Sequence, residues 1–303
     1  MDYFFPLLQS QTVLFLYLAI GLLIRRKNVV SEEAIKGIVN FIITVALPCM
    51  VFAVFFDLSL TRGLMVNGLV IVIVSTVVTL SMIPLGNFLW RKAESQKQAV
   101  LKYGTLMPNA GFAGIPLVYA VFGPEAVFFA LLYLMPHRVI TFPSAMVIFE
   151  QVREKRSRKD IFLVPGNIAI LLGIVYLLLP FSLPAVLEQT VQTLGTTAPP
   201  LSLVAVGCML AEVDFRRLFD KAVLQLCAVR LILIPLGVLL VLRPFDFDFI
   251  IVATAVILMA MPTGVNTVLF AKQWGGDYLF AARCIFLTSL LSVLTVPLLA
   301  LLL

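Results

Sequence analysis

Apolar residues run along this 303-residue chain in long blocks separated by short polar ones. About 20 apolar residues cross a bilayer as a helix, and the blocks divide into ten such lengths. They fall at residues 11–24, 34–56, 64–90, 99–122, 126–149, 161–180, 186–211, 222–242, 249–270 and 278–301. The pattern predicts an all-α polytopic membrane protein with ten transmembrane helices. Two blocks are interrupted near the depth where lipid is driest. Residues 107–116, Met-Pro-Asn-Ala-Gly-Phe-Ala-Gly-Ile-Pro, place two prolines and two glycines inside the fourth block, and Met261-Pro262-Thr263-Gly264-Val265-Asn266 interrupts the ninth. Proline removes a backbone donor and clashes with the preceding turn, so both spans are expected to break. The freed backbone groups then need protein or a cavity to satisfy them. Discontinuous spans are a feature of secondary transporters, with a binding site at mid-depth. The plainer alternative is two proline kinks tolerated by their neighbours.

The blocks also repeat. Gly21 matches Gly173, Pro48 matches Pro200, Gly123 matches Gly275 and Glu125 matches Asp277 at a spacing of 152. Pro84 and Pro235 are 151 apart, and the pairs Pro108/Pro262 and Pro143/Pro297 are 154 apart. A shared offset argues for two five-span units, residues 1–150 and 161–303, joined by a linker at 151–160. Five is odd, so the second unit enters the membrane inverted, and helices 4 and 9 are expected to cross at their breaks. At such a crossing, half-helices that begin there point positive ends inward and those that end there offer unpaired carbonyls.

Composition agrees with a membrane chain: 61% hydrophobic, 13% charged, mean hydropathy +1.08. The net charge of +6 is a topology signal and not a nucleic-acid footprint. Fifteen Lys and Arg residues lie in one set of alternate loops, at Arg25, Arg26, Lys27, Arg91, Lys92, Lys97, Arg153, Lys155, Arg156, Arg158, Lys159, Arg216, Arg217, Lys221 and Lys272. Only Arg62 and Arg243 lie in the other set. Basic loops stay cytoplasmic, which puts both termini outside a multi-pass protein of the cell (inner) membrane. No cleavable signal peptide is expected, because residues 1–10 lack a basic leader. Cys49, Cys208, Cys227 and Cys284 have no metal-ligand spacing and read as core residues.

Acidic residues fall in loops or at span ends, whereas His137, Arg138 and Arg230 lie well inside apolar blocks. A buried arginine marks a candidate functional site. For Arg138 and Arg230 two partners are open, a substrate carboxylate or the carbonyl ends of the broken helices. Lys36, Lys102 and Arg283 are expected to snorkel to the cytoplasmic surface. Asn109 and Asn266, beside the break prolines Pro108 and Pro262, offer amides for a substrate or caps for the half-helices. Gly111 and Gly264, which loosen the two breaks, are counted with them as substrate-binding. His137 either carries a proton or is a satisfied core residue. The stripes Thr288, Ser292, Thr295 and Thr141, Ser144 either line a cavity or bond across helices. With no nucleophile and base pair, metal cluster or phosphate loop, the chain lacks the equipment of an enzyme; no metal and no cofactor are expected.

The sequences Pro108-Asn109-Ala110-Gly111-Phe112-Ala113-Gly114-Ile115-Pro116 with Gly123-Pro124-Glu125, and Pro262-Thr263-Gly264-Val265-Asn266 with Trp274-Gly275-Gly276-Asp277, resemble the auxin efflux carrier family, within the larger group that includes bile acid sodium symporters. The resemblance covers essentially the whole chain. It implies a scaffold from the first two spans of each repeat, a transport domain from the last three, homodimerisation through the scaffold, and elevator-type alternating access. It also implies small organic anions as substrates, such as malate, malonate or auxin-like acids, held at Asn109 and Asn266 beside Pro108 and Pro262. A coupling ion, proton or sodium, is left open, and acidic residues expected of a cation site are missing from the crossing. The long loop of the plant carriers is reduced here to about eleven residues. A gated anion channel on the same scaffold is the alternative reading.

Overall fold

The structure, a computed structural model, describes residues 4–56, 61–149, 165–178, 183–212, 219–274 and 276–303. The linker at 151–160, with its basic run, lies outside the described residues, as do Arg216, Arg217 and Gly275. Every named element is helical. They are α1 (Phe4–Arg26), α2 (Glu32–Phe41), α3 (Leu47–Ala53), α4 (Arg62–Leu89), α5 (Ser95–Leu106), α6 (Ile115–Ile148), α7 (Pro165–Leu178) and α8 (Ala185–Thr196). Then follow α9 (Ala198–Met209), α10 (Lys221–Ala228), α11 (Ile234–Leu242), α12 (Phe249–Ala260), α13 (Asn266–Trp274) and α14 (Tyr278–Ala300). Side chains of Ser31, Thr61, Asp220, Asp248 and Asp277 accept first-turn amides and start α2, α4, α10, α12 and α14.

Six helical stretches among the described residues are long and apolar enough to cross a membrane: Phe4–Arg26, Glu32–Ala53, Arg62–Leu89, Ala110–Ala145, Lys221–Leu242 and Tyr278–Ala300. This is a multi-pass membrane architecture. The ten blocks of the sequence do not become ten long helices, for local reasons. The fourth and ninth are cut between α5 and α6 and between α12 and α13. The fifth is merged with the second half of the fourth, separated only at Gly123, whose φ of 80° and ψ of −171° suit glycine alone. The seventh is divided at Thr197 into α8 and α9.

Three turns widen to π geometry, at Ile42–Ala46, Ala110–Gly114 and Val229–Leu233. Each ends two residues before a proline, Pro48, Pro116 and Pro235. A proline ring collides with the carbonyl four residues back in a regular helix, and a wider turn moves that carbonyl aside. Pro84, Pro136, Pro143 and Pro297 stay inside uninterrupted helix, so proline alone does not dictate the turn.

Packing interleaves the two halves of the chain. α1 runs along α9 and α14, and α3 lies against α7 and α8, while α4, α12 and the π turn at Ala110–Gly114 gather around α6. The α1/α9 contact is backbone to backbone. A Cβ on Gly21 would lie 2.0 Å from the carbonyl oxygen of Val204, and one on Gly207 would lie 2.0 Å from that of Leu18. Small residues take this role in membranes because lipid competes with any larger apolar side chain for the helix surface. Gly207→Ala is therefore expected to force the two helices apart, at a cost of about 1–3 kcal/mol or more, and to reduce the yield of monodisperse protein on size-exclusion chromatography. Gly37→Ala and Gly237→Ala, where a Cβ meets nothing within 4 Å, should leave that yield unchanged.

Candidate functional site

The two breaks meet. Met107 and Met261 leave their helices in extended conformation, and the two segments pair antiparallel at Pro108 and Thr263. The Asn109 amide donates to the Pro262 carbonyl at 2.7 Å, and the Gly264 amide donates to the Met107 carbonyl at 2.8 Å. Each break thus satisfies backbone groups freed by the other, which is how non-helical backbone survives at membrane depth. Gly264 is required by this approach: a Cβ there would stand 3.0 Å from the Pro108 carbonyl oxygen. Gly264→Ala is expected to loosen the bridge by about 1–3 kcal/mol, read as a lower melting temperature of the purified protein. The Thr263 amide is held by Thr288 Oγ at 3.1 Å, and Thr288 in turn donates to the Cys284 carbonyl of its own helix at 2.7 Å. That stripe on α14 ties its helix to the second break.

Four half-helices converge on this point, with opposite polarity in pairs. α5 and α12 end there and present carbonyls. The segment from Ala110 into α6, and α13, begin there and turn their N-terminal ends to it, the Thr267 and Val268 amides of α13 bonding the Gly264 and Val265 carbonyls at 3.0 Å. The carbonyl side is closed by Arg230, fully buried on the π turn at Val229–Leu233. Its Nη1 donates to the Thr105 carbonyl at 2.9 Å, Nη2 to Met259 at 2.8 Å and Nε to Met261 at 3.1 Å. Of the two partners left open for Arg230, the structure places it on the carbonyl ends. Thr105 is itself fixed, since its hydroxyl accepts from Trp90 Nε1 at 2.8 Å and donates to the Leu101 carbonyl at 2.8 Å.

The amide side carries the remaining candidates. Asn109 is 4% exposed, and its side chain makes no capping hydrogen bond. Asn266 is half-buried at the head of α13. Arg138 of α6 is half-buried and reaches the first break: a Cβ on Gly111 would sit 3.7 Å from its Nη2. Pro108, Asn109, Pro262 and Gly264 are thus in one contact, with Gly111 and Arg138 adjoining it within a turn. His137 points elsewhere. Its Nδ1 bonds Thr79 Oγ of α4 at 3.0 Å, one turn along from the Ser75 hydroxyl that donates to the Tyr133 carbonyl.

Other polar groups lie at depth, and of these Tyr133, Thr254, Thr267 and Gln11 escaped the sequence reading. Tyr133 Oη, His137 Nε2 and Thr141 Oγ lie one helical turn apart along α6, buried and without a hydrogen-bond partner, as are Thr254, Thr263 and Thr267 Oγ and Gln11 Nε2. The signal was there, since each is a polar residue inside an apolar block, but no charge marked it. Arg283 does not snorkel as expected. It is 9% exposed, its Nε donates to the Leu279 carbonyl at 3.3 Å, and its guanidinium lies 5.5 Å from the Phe280 ring centroid. Lys36 is exposed and pairs with Glu32 at 3.0 Å. Among the described residues no group of three or more His, Cys, Asp or Glu is placed to hold a metal ion.

Comparison with known proteins agrees with this architecture. The chain is 25% identical over 289 residues, 92% of each chain, to an "Uncharacterized transporter" of Methanothermobacter thermautotrophicus. It is 27% identical over 278 residues, 87% of this chain and 85% of the other, to a "Putative malonate transporter" of Rhizobium meliloti. The family described as membrane transport protein matches residues 8–160 and 145–300. The chain belongs to that family, the family of the auxin efflux carriers.

Proposed function

We propose that the protein is a secondary transporter of small organic anions, and that a carboxylate of the substrate binds where the two broken helices meet. The observation that carries this reading is the reciprocal pairing of residues 107–109 with 261–264. It gathers two half-helix N-termini, each worth about half a positive charge, beside the side-chain amide of Asn109 and the guanidinium of Arg138. Asn109, Asn266, Pro108, Pro262, Gly111, Gly264 and Arg138 form the site. Arg230 compensates the carbonyl ends from behind, and His137, the one histidine of the sequence, is the candidate for moving a proton. The name of the Rhizobium meliloti relative makes malonate the first substrate to test.

The carrier reading includes ten spans in two inverted repeats and elevator-type alternating access, in the inner membrane with both termini outside. Support comes from the shared offset between the halves and from the packing of α1 on α9 and of α3 on α7 and α8. The protein would work as a homodimer through these helices. Flux in proteoliposomes tests it. A carrier gives uptake of labelled malonate that saturates with concentration and is accelerated by malonate on the opposite side. Currents that rise with the gradient without saturating would instead mean a gated anion channel, and no carboxylate flux at all would end the proposal.

A further inference from the structure

Arg230 sits where a transporter with broken helices holds a metal cation. Unwound carbonyls and half-helix C-terminal ends are the usual ligands of a coupling sodium ion in such folds. Here the C-terminal ends of α5 and α12 converge, and three of their carbonyls, Thr105, Met259 and Met261, point at one guanidinium from 2.8 to 3.1 Å. Each helix end carries roughly half a negative charge, so the two together match one fixed positive charge. Among the described residues, every hydrogen bond that Arg230 makes goes to a backbone carbonyl and none to a carboxylate.

We propose that Arg230 is a resident cation, filling a carbonyl cradle that would otherwise bind a free one, so that the carrier takes up its anion without sodium. The inference rests on the transporter reading for its last step but not for the cradle itself. Two features argue that the arrangement is built. The π turn ahead of Pro235 carries the side chain, and the Trp90 to Thr105 bond fixes one of the ligands. Because the charge is covalently held, it stays with the site whether or not substrate is present. Each cycle then moves only the charge of the substrate, and flux of a dianion follows the membrane potential.

The cradle predicts chemical rescue. Arg230→Ala, purified in detergent, should melt well below the wild type in choline chloride. Guanidinium chloride at about 50 mM, enough to saturate a millimolar site and far below denaturing levels, should restore a saturable part of the loss. Sodium should restore a smaller part, and neither salt should raise the wild type. Arg230→Ala unmoved by guanidinium and sodium relative to choline would overturn the proposal. A second measurement does not depend on the variant folding: wild-type malonate flux in sodium and in choline. Equal rates support the resident cation, and a drop of about tenfold or more on removing sodium, some 1.4 kcal/mol of coupling, overturns it. Absence of malonate binding in both salts would count against the transporter reading alone, leaving the rescue to decide the cradle.

Discussion

Arg230→Ala is expected to be the most damaging single substitution at the crossing, lowering the melting temperature by roughly 10 °C, from a loss of about 3–5 kcal/mol. Hydrogen bonds to a charged group contribute about 1.5–3 kcal/mol each, and this side chain makes three, all fully buried. Their simple sum overshoots, since the guanidinium also had to be desolvated. What decides the sign is the state left behind. Three carbonyls at the ends of α5 and α12 would face each other without a donor, and the pairing of the two breaks rests directly on those ends. Arg230→Lys keeps the charge but lacks the planar fork that spans three acceptors, so it should fall between the two. Differential scanning fluorimetry of the three proteins in one detergent reads the order. Alanine as stable as arginine would mean the carbonyls find other partners.

The second large effect falls on binding. Arg138→Gln is expected to weaken carboxylate affinity about 10- to 150-fold, the equivalent of about 1.5–3 kcal/mol for a charge-assisted hydrogen bond, with little change in melting temperature. Arg138 lies against Gly111 at the amide side of the crossing and is half-buried, and glutamine keeps a polar, hydrogen-bonding side chain there. The prediction separates the two arginines, one governing stability and one governing affinity, though both occur in apolar blocks and look alike in sequence. Isothermal titration of malonate into wild type and Arg138→Gln measures it. Unchanged affinity would remove Arg138 from the site.

That contrast shows what the sequence could reveal. The breaks were legible because proline and glycine inside an apolar block have no cheap explanation in lipid. Their meeting was legible because Pro108 and Pro262 share, within two residues, the offset that links Gly21 to Gly173 and Pro48 to Pro200. The inner face of each span was not. On α4 the exposed Leu69, Ile73, Val77 and Leu80 are as apolar as the buried Ile71, Val74 and Val78, because lipid and protein interior make the same demand on a side chain. For the same reason nothing marked Gly21 and Gly207 as a backbone contact rather than flexible points. The π turns were hidden because only three of several prolines, Pro48, Pro116 and Pro235, are preceded by one. Arg230 was visible as a buried charge, but its partners are backbone carbonyls, and every residue has one.

Equilibrium binding of labelled malonate to purified wild type, Asn109→Ala and Asn266→Ala tests most directly whether the paired breaks form the anion site. The Asn109 side-chain amide makes no capping hydrogen bond and Asn266 is half-buried at the head of α13, so both variants should fold with nearly unchanged melting temperatures. Each should bind malonate at least about tenfold more weakly, the loss of one hydrogen bond to a carboxylate. Saturable binding of equal affinity in all three proteins would contradict the account.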